Sequence, residues 1–469
     1  MSSDWREVTL EEVTTLLGDG LHGTPNYDDS GDYYFINGRN LSEGKIILDE
    51  NTKRATEEEY LKHKKDLNDR TILVSINGTL GNIAFYNDEN VFLGKSACYF
   101  NVNDEVEKDF IYYVLKNDVF QNHIDREATG TTIKNVSLKT MRGFSFKLPP
   151  LETQEKIVSI LGSIDQKIYL NQQTNETLET MAQAIFKSWF VDFDPVRAKI
   201  EDKSAGRDPN RAAMAAIAGL DSFDEASKDR QDWDEIEAAL DQKLSNMTEE
   251  QRQQLSRTAK LFPDELVESD IGEVPKGWRI DSVFNQAEYI NGAAFRGSDF
   301  SKSKAGLPVI KIAELKSGIT DQTKFTEKEV DDKYHIDSGD VLFSWSGNPD
   351  TSIDIFIWEG GPGLLNQHIF KIESDSKTRK VFNYYFLKSM LPFFKRTAAN
   401  KQTTGLGHVT QRDLKRKKVV IPPEELIKNF SKQAKPIFDK IFNNLMETEN
   451  LSSLRDTLLP KLISGEVGV

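Results

Sequence analysis

Between Ile157 and Trp189 the chain carries a seam at alternating steps of four and three: Ile157, Leu161, Ile164, Ile168, Asn171, Asn175, Leu178, Ala182, Ile185 and Trp189. That spacing is a heptad, which lets one helix lie along another with its apolar stripe covered. The seam returns 273 residues later as Phe430, Ala434, Ile437, Ile441, Asn444, Thr448, Leu451, Arg455, Leu458 and Leu462. Pro149-Pro150 before the first copy has its counterpart in Pro422-Pro423 before the second. The polar interruption is kept as well, with Asn171 matched by Asn444. A buried polar step costs stability but resists slipped alignments. Gly162-Ser163 and the matching Lys435-Pro436 are poor helix-interior pairs. They predict a short helix, a break, and a long helix from about Ile164 to Phe190, a rod of roughly 40 Å.

Each seam follows a stretch of short apolar runs punctuated by turn residues. In the first, Tyr33-Tyr-Phe-Ile, Thr71-Ile-Leu-Val-Ser, Asn82-Ile-Ala-Phe-Tyr and Ala97-Cys-Tyr-Phe-Asn-Val read as strands, with Asn77-Gly78 as a turn. Asp109-Phe-Ile-Tyr-Tyr-Val-Leu-Lys reads as an aromatic-faced helix. A loop over residues 128–134 leads to a last strand, Phe144-Ser-Phe-Lys-Leu. The second stretch repeats this order. Leu307-Pro-Val-Ile, Gly339-Asp-Val-Leu-Phe-Ser-Trp-Ser-Gly and Val381-Phe-Asn-Tyr-Tyr-Phe-Leu-Lys answer the first copy, and residues 409–423 match 136–150 without a gap. The expected fold is α+β: two similar, mostly antiparallel modules with two long antiparallel, coiled-coil-like helices and an internal pseudo-two-fold repeat. The predicted boundaries are 1–150 and 275–423 for the modules, 151–192 and 424–465 for the helical regions, and 193–274 for a connector. Within the connector, residues 212–220, 232–244 and 248–260 read as helical, and Thr248 with Gln251 makes a capping box.

Composition narrows the class. With 469 residues, 38% hydrophobic and 29% charged, two or three soluble domains are expected. No apolar run is long enough to span a bilayer, and Met-Ser-Ser-Asp-Trp-Arg-Glu lacks the parts of a signal peptide. The single cysteine, Cys98, fits a reducing cytoplasm. The net charge of −15 argues at first against a nucleic-acid partner. However, residues 201–273 hold nineteen acids and nine bases, a net of −10. The rest of the chain is therefore near neutral and able to hold phosphate locally. The connector reads as a solvated, solubilising insertion.

Catalytic signatures are missing. Gly94-Lys95-Ser96 ends like a phosphate-binding loop, but Glu89 occupies the required first glycine position. The six histidines have no paired zinc spacing. Glu314-Leu-Lys316 is a nuclease-like triplet of a kind common in charged chains, and no nucleophile turn occurs. The chain reads as a binder. Lys139 and Arg142 in the first module align with Arg412 and Lys415 in the second, and with Lys401 they suit phosphate contacts. Arg39, Asn77, Lys95, Lys134, Arg296, Lys311, Asn348, Gln367 and His408 are loop residues of the types that read base edges. An ordinary solvated face accounts for any one of them equally well. Gln367 also suits a satisfied polar role near a strand start, and Lys311 a snorkelling one.

Leu148-Pro-Pro-Leu-Glu-Thr-Gln-Glu-Lys-Ile, Ile185-Phe-Lys-Ser-Trp-Phe-Val-Asp-Phe-Asp-Pro, Phe343-Ser-Trp-Ser-Gly-Asn-Pro-Asp, Asn366-Gln-His-Ile-Phe and Leu459-Pro-Lys-Leu-Ile-Ser-Gly-Glu together resemble the specificity subunit of type I restriction–modification systems. The resemblance covers nearly the whole chain. It implies two target-recognition domains, double-stranded DNA as ligand, and two methyltransferase subunits and restriction subunits as partners. It also implies a bacterial or archaeal cytoplasm and no catalytic site or cofactor of the chain's own. S-adenosylmethionine, ATP and Mg2+ would enter through the partners. A coiled-coil interaction scaffold without DNA recognition is the alternative, and it predicts no salt-dependent DNA affinity in the assembled complex. An enzyme with its own site is a third reading, which requires turnover without partners.

Two similar modules with different loops, held by paired rods, predict a split target, one half-site per module, with an unread spacer. Removing one heptad from both rods is expected to change the preferred spacer and leave both half-sites intact. Methylome sequencing checks this, and an unchanged spacer refutes the ruler.

Overall fold

The computed structural model of the protein describes residues 5–130, 133–221, 232–402 and 406–469. Thr131 and Thr132 of the loop expected over 128–134, and residues 222–231 of the connector, lie outside the described residues. The chain forms two compact units: residues 1–168 with 450–469, and residues 169–449.

In the first unit a four-stranded antiparallel sheet runs in the order Thr14–Asp19, Ala97–Val102, Thr71–Ser75, Ile83–Phe85. Thr71–Ser75 and Ala97–Val102 are buried at every residue. This explains their lack of an alternating apolar–polar pattern, and among their buried polar residues Thr71 donates to Asn101 Oδ1 at 2.6 Å. A smaller sheet sets Tyr33–Ile36 parallel to Val91–Leu93 and antiparallel to Arg54–Ala55. Arg6–Thr9 and Ser145–Leu148 close the module as an antiparallel pair. Lys108–Lys116, the aromatic helix, buries all six residues from Phe110 to Leu115 and leaves its charged ends, Lys108, Asp109 and Lys116, half-buried.

The second unit repeats this plan in its main sheet, its parallel pair and its closing pair. Its main sheet runs Glu288–Asn291, Ile369–Glu373, Val341–Ser344, Asp354–Ile357. Leu307–Ile310 lies parallel to Gly363–Leu365, and Arg279–Ser282 pairs with Lys418–Ile421. The second module adds a short strand, His335–Ile336, to its smaller sheet. Both modules thus have one parallel pair in an otherwise antiparallel architecture.

The seams are covered within each unit. In the first, Ile157 and Leu161 share a core with Leu459 and Leu462, and Arg455 reaches Asp165 at 2.9 Å. Leu458 packs against the same core. Tyr113 Oη also donates to Asp165, tying the module to the helix. In the second, Trp189 and Phe186 meet Phe430 edge-on at 6.0 and 5.4 Å, and Leu178, Ile185 and Ile437 lie half-buried beside them. Ile441 is buried, as are Ile164 and Ile168, while Leu451 is half-buried. Asn444 Nδ2 donates to Asn175 Oδ1 at 2.8 Å, and Asn171 Nδ2 to Glu447 at 2.9 Å. Partner numbers fall along one helix as they rise along the other, so the helices run antiparallel. The polar step therefore joins Asn444 to Asn175, with Asn171 bonded one turn away.

Two expectations are corrected. The helices do not break. Leu151–Phe190 and Glu424–Ser464 are each continuous, at 40 and 41 residues, or roughly 60 Å apiece. Ser163 Oγ bonds the Ile160 carbonyl, and Pro436 takes an exposed position. The lost backbone bond and clash at proline cost about 3 kcal/mol, which burial of Phe430, Ala434, Phe438 and Ile441 offsets. The connector, in turn, is not merely solvated. It includes a helix the pattern missed, Asp194–Ser204, followed by Pro209–Ile217, Trp233–Ser245 and Glu249–Leu261. Its Phe193, Met214, Leu240 and Phe262 join the core of Trp189 and Trp278. Many of its acidic side chains lie outside a real apolar layer, while Asp194, Asp202 and Asp221 are buried. The Thr248–Gln251 capping box is present.

Leu161→Ala is expected to lower the stability of the first unit by about 2–5 kcal/mol in chemical denaturation. Glu359 supplies a pH test. Burial, with the nearby Glu449 charge, pushes its carboxyl up to about 7. Folding favours its protonated form, so stability is retained at acid pH and lost as pH rises toward 7. Relative to the wild type, Glu359→Gln is expected to flatten that loss in denaturation curves between about pH 4 and 7.

Candidate nucleic-acid interface

In each module the strands of the two sheets end together, and the loops beyond them are locked by backbone hydrogen bonds. In the first module, Leu21 N–H donates to Leu93 O (2.7 Å), Gly94 N–H to Ile36 O (2.9 Å), Ile76 N–H to Ser96 O (2.9 Å) and Val136 N–H to Ile76 O (2.8 Å). In the second, Ala293 donates to Leu365 (2.8 Å), Asn366 to Ile310 (3.1 Å), Trp345 to His368 (3.3 Å) and Val409 to Trp345 (2.8 Å). The bonds correspond one for one. Their closeness demands glycine at one shared place. A Cβ on Gly20 would sit 2.1 Å from Leu93 O, and one on Gly292 2.2 Å from Asn366 O.

This frame brings together four of the sequence-predicted residues in each module. Lys95 and Gln367 occupy the same frame position, both exposed. Asn77 bonds Asn135 across the loop (Nδ2 to Oδ1, 3.0 Å), and His408 sits at the place of Asn135, paired in register with Ser346, the counterpart of Asn77. Lys134 neighbours Asn135 and pairs with Asp125. Arg39 lies in the turn Gly38–Asn40, whose Gly38 N–H donates to Ser96 Oγ. Lys311 begins the equivalent turn, where its N–H is capped by Glu314 at 3.0 Å, and its ammonium lies over Phe300. That capping role accounts for Glu314 of the nuclease-like triplet. Asn348 follows the loop, but its Oδ1 already accepts from Asp350 and Thr351 N–H.

The other candidates lie on different elements. Lys139 and Arg142 are on Leu138–Arg142, and Arg142 donates to Leu17 O at 2.9 Å. Arg412 and Lys415 occupy the counterpart helix, Gln411–Arg416, with Lys415 over the Phe284 ring. Lys401 pairs with Asp413. Burial opposes ionisation of Asp413, yet hydrogen bonds from Lys401 and Thr410 win and hold its carboxyl below the usual range. Arg296 is exposed in a turn where its N–H donates to Asp299, and that bond, with the Lys328 ammonium, depresses the Asp299 carboxyl. The frame also gathers residues that pattern reading passed over: Asn37, Ser96 and Asn135 in one module, Asn291, Trp345 and His368 in the other. For Ser96, Asn135 and His368 the available signal was adjacency to Lys95, Lys134 and Gln367; Asn37, Asn291 and Trp345 carried none of that kind.

A family described as "Type I restriction modification DNA specificity domain" matches twice, over residues 2–180 and 275–452. The chain belongs to that family. The two matches cover both modules and most of each long helix. The HindI specificity subunit of Haemophilus influenzae is 30% identical over 73% of this chain and 73% of its own length. The MjaIX specificity subunit of Methanocaldococcus jannaschii is 22% identical over 99% and 94%. A crystal structure of the type I S subunit from M. genitalium matches 98% of this chain and 96% of its own at 16% identity, with a TM-score of 0.49. Specificity subunits are the non-catalytic, DNA-recognising class of these systems, and this chain is one of them. The relatives come from bacteria and archaea. Among the described residues, no helix is long and apolar enough to cross a membrane, and no group of three or more His, Cys, Asp or Glu side chains is placed to hold a metal ion. Cys98 is buried, and burial raises its thiol far above the usual range. The family is consistent with a chain that carries no cofactor of its own.

Proposed function

We propose that residues 1–150 and 275–423 are target-recognition domains, each reading one half of a bipartite duplex site with the loops of its shared frame. The observation that carries this reading is the hydrogen-bonded frame itself, identical in plan between the modules and decorated with different side chains. A common frame gives a common docking geometry, and the differing side chains give two different half-sites. Lys95, Asn77, Arg39 and Lys134 in the first domain, and Lys311, Gln367 and His408 with Arg296 and Asn348 in the second, are the base-edge and groove contacts. Lys139, Arg142, Arg412, Lys415 and Lys401 supply phosphate contacts from the flanking elements, where they orient the duplex without reading it.

The partners are two methyltransferase subunits and restriction subunits, in the cytoplasm of a bacterium or archaeon. S-adenosylmethionine serves methyl transfer to a flipped-out adenine, and ATP with Mg2+ serves restriction, all through those partners. The outer faces of the long helices are the docking surface. Exposed Ile160 and Leu454 in one unit, and Tyr169, Leu170 and Met181 in the other, support that assignment, because large apolar side chains outside a core mark contact surfaces.

Gln367→Ala in the assembled complex is expected to cost about 1–3 kcal/mol against the matched duplex and to relax one position of one half-site. Lys139→Ala is expected instead to weaken binding to all sequences alike and to lower the salt slope of log K by about one. Titrations at several salt concentrations, with matched and single-substituted duplexes, separate the two. Affinity independent of both salt and sequence overturns the reading.

A further inference from the structure

Ile76 and Trp345 hold the same position in the frame, since each donates its N–H to the residue at 96 or 368 and accepts from the valine at 136 or 409. Ser96 and His368 are therefore equivalent. Their surroundings differ in kind. Ser96 is spent inside the first module: its hydroxyl accepts from Gly38 N–H and donates to Asn37 Oδ1, both at 2.9 Å. Ile76 beside it is buried. In the second module His368 is exposed, with the Gln367 amide nitrogen 3.3 Å from its Nε2. Its ring lies 5.6 Å from that of Trp345. Trp345 is in turn held by stacking on Phe370 and by its Nε1–H donating to Asn291 Oδ1 at 3.1 Å.

We propose that His368 is a specificity-determining residue of the second module and that Trp345 is the residue that positions it, an inference that rests on the reading of this frame as a base-contacting surface. An exposed imidazole backed by a fixed indole loses little freedom on binding, so its ring nitrogens meet a base edge at low entropic cost. Beside it, the Gln367 amide has the donor–acceptor pair that matches adenine N6 and N7. The imidazole adds a donor suited to the N7 or O6 of a neighbouring purine. The first module has no such pair, because Ser96 faces inward. Its readout falls on Lys95 and the Asn77–Asn135 bridge. Both modules thus place a contact at the shared position of Lys95 and Gln367, and the second adds His368 where the first has Ser96 turned inward.

The test selects bound sequences from a randomised duplex library with the full chain in complex with its methyltransferase partner. His368→Ser installs the first module's side chain. It is expected to reduce discrimination roughly tenfold at one or two adjacent positions of one half-site, while the other half-site is read as before. The intact half-site is the internal control for folding and assembly. Trp345→Ile is expected to relax the same positions, and Trp345→Phe, which keeps a ring against Phe370 and His368, to restore them. Unchanged base preference in His368→Ser overturns the proposal, as does equal loss at both half-sites. If Gln367→Ala relaxes a half-site and His368→Ser does not, this inference alone fails. If neither alters any position and binding shows no sequence preference, the reading of the frame fails with it.

Discussion

A forty-residue helix with an apolar stripe is unstable in water unless something covers the stripe, and that requirement organises this protein. Each long helix has its seam covered by the other. In one unit Ile157 and Leu161 meet Leu459 and Leu462; in the other Trp189 and Phe186 meet Phe430. The modules are built onto the same cores. The aromatic helix of each module contributes to them through Phe110 and Tyr113, or Phe382 and Tyr385. A recognition surface on such a module inherits the rigidity of the helices beneath it. Tyr113 bonded to Asp165, and Tyr384 bonded to Glu179, make the attachment directional as well as apolar.

The polar layer in the seam limits where the helices can sit. Asn175, Asn444, Asn171 and Glu447 meet only in the antiparallel register found here. A slip by one turn would leave their amides against apolar neighbours, each at a cost of about 1–3 kcal/mol. The layer thus trades some stability for a single alignment. The frame at the sheet ends follows a similar logic. Backbone atoms hold the loops, and glycine at 20 and 292 permits the close approach. Side chains are thereby released from structural duty and left to differ, and in the first module Ser96 shows the opposite case, a frame side chain consumed by the fold.

The connector shows how charge can mislead. Nineteen acids among residues 201–273 suggest a solvated insertion, yet its helices bury Met214, Leu240 and Phe262 beside Trp189. Amphipathic helices carry their charge on one face and their packing on the other, so a composition count reports only the outer one. The same segment places a cavity of about 1090 Å³ against the ends of the long helices, lined by Ile185, Trp189, Leu255 and Pro436 among others. It lies on the helical layer and lacks the loop residues of the hydrogen-bonded frame.

The sequence by itself determined the duplication, the heptad seams, several of the strands in each module and the family, because periodicity and repetition are properties of the chain read linearly. It also marked Lys95 and Gln367, which lie at one frame position in their two modules. Only the tertiary structure decided that Gly162 and Pro436 sit inside unbroken helices, since the burial that offsets their cost comes from the facing helix. It alone paired Asn444 with Asn175, because an antiparallel register depends on two segments far apart in the chain. And it alone separated Ser96, turned inward, from His368, turned outward. Which side chain a fold consumes and which it leaves exposed depends on partners that no local pattern records.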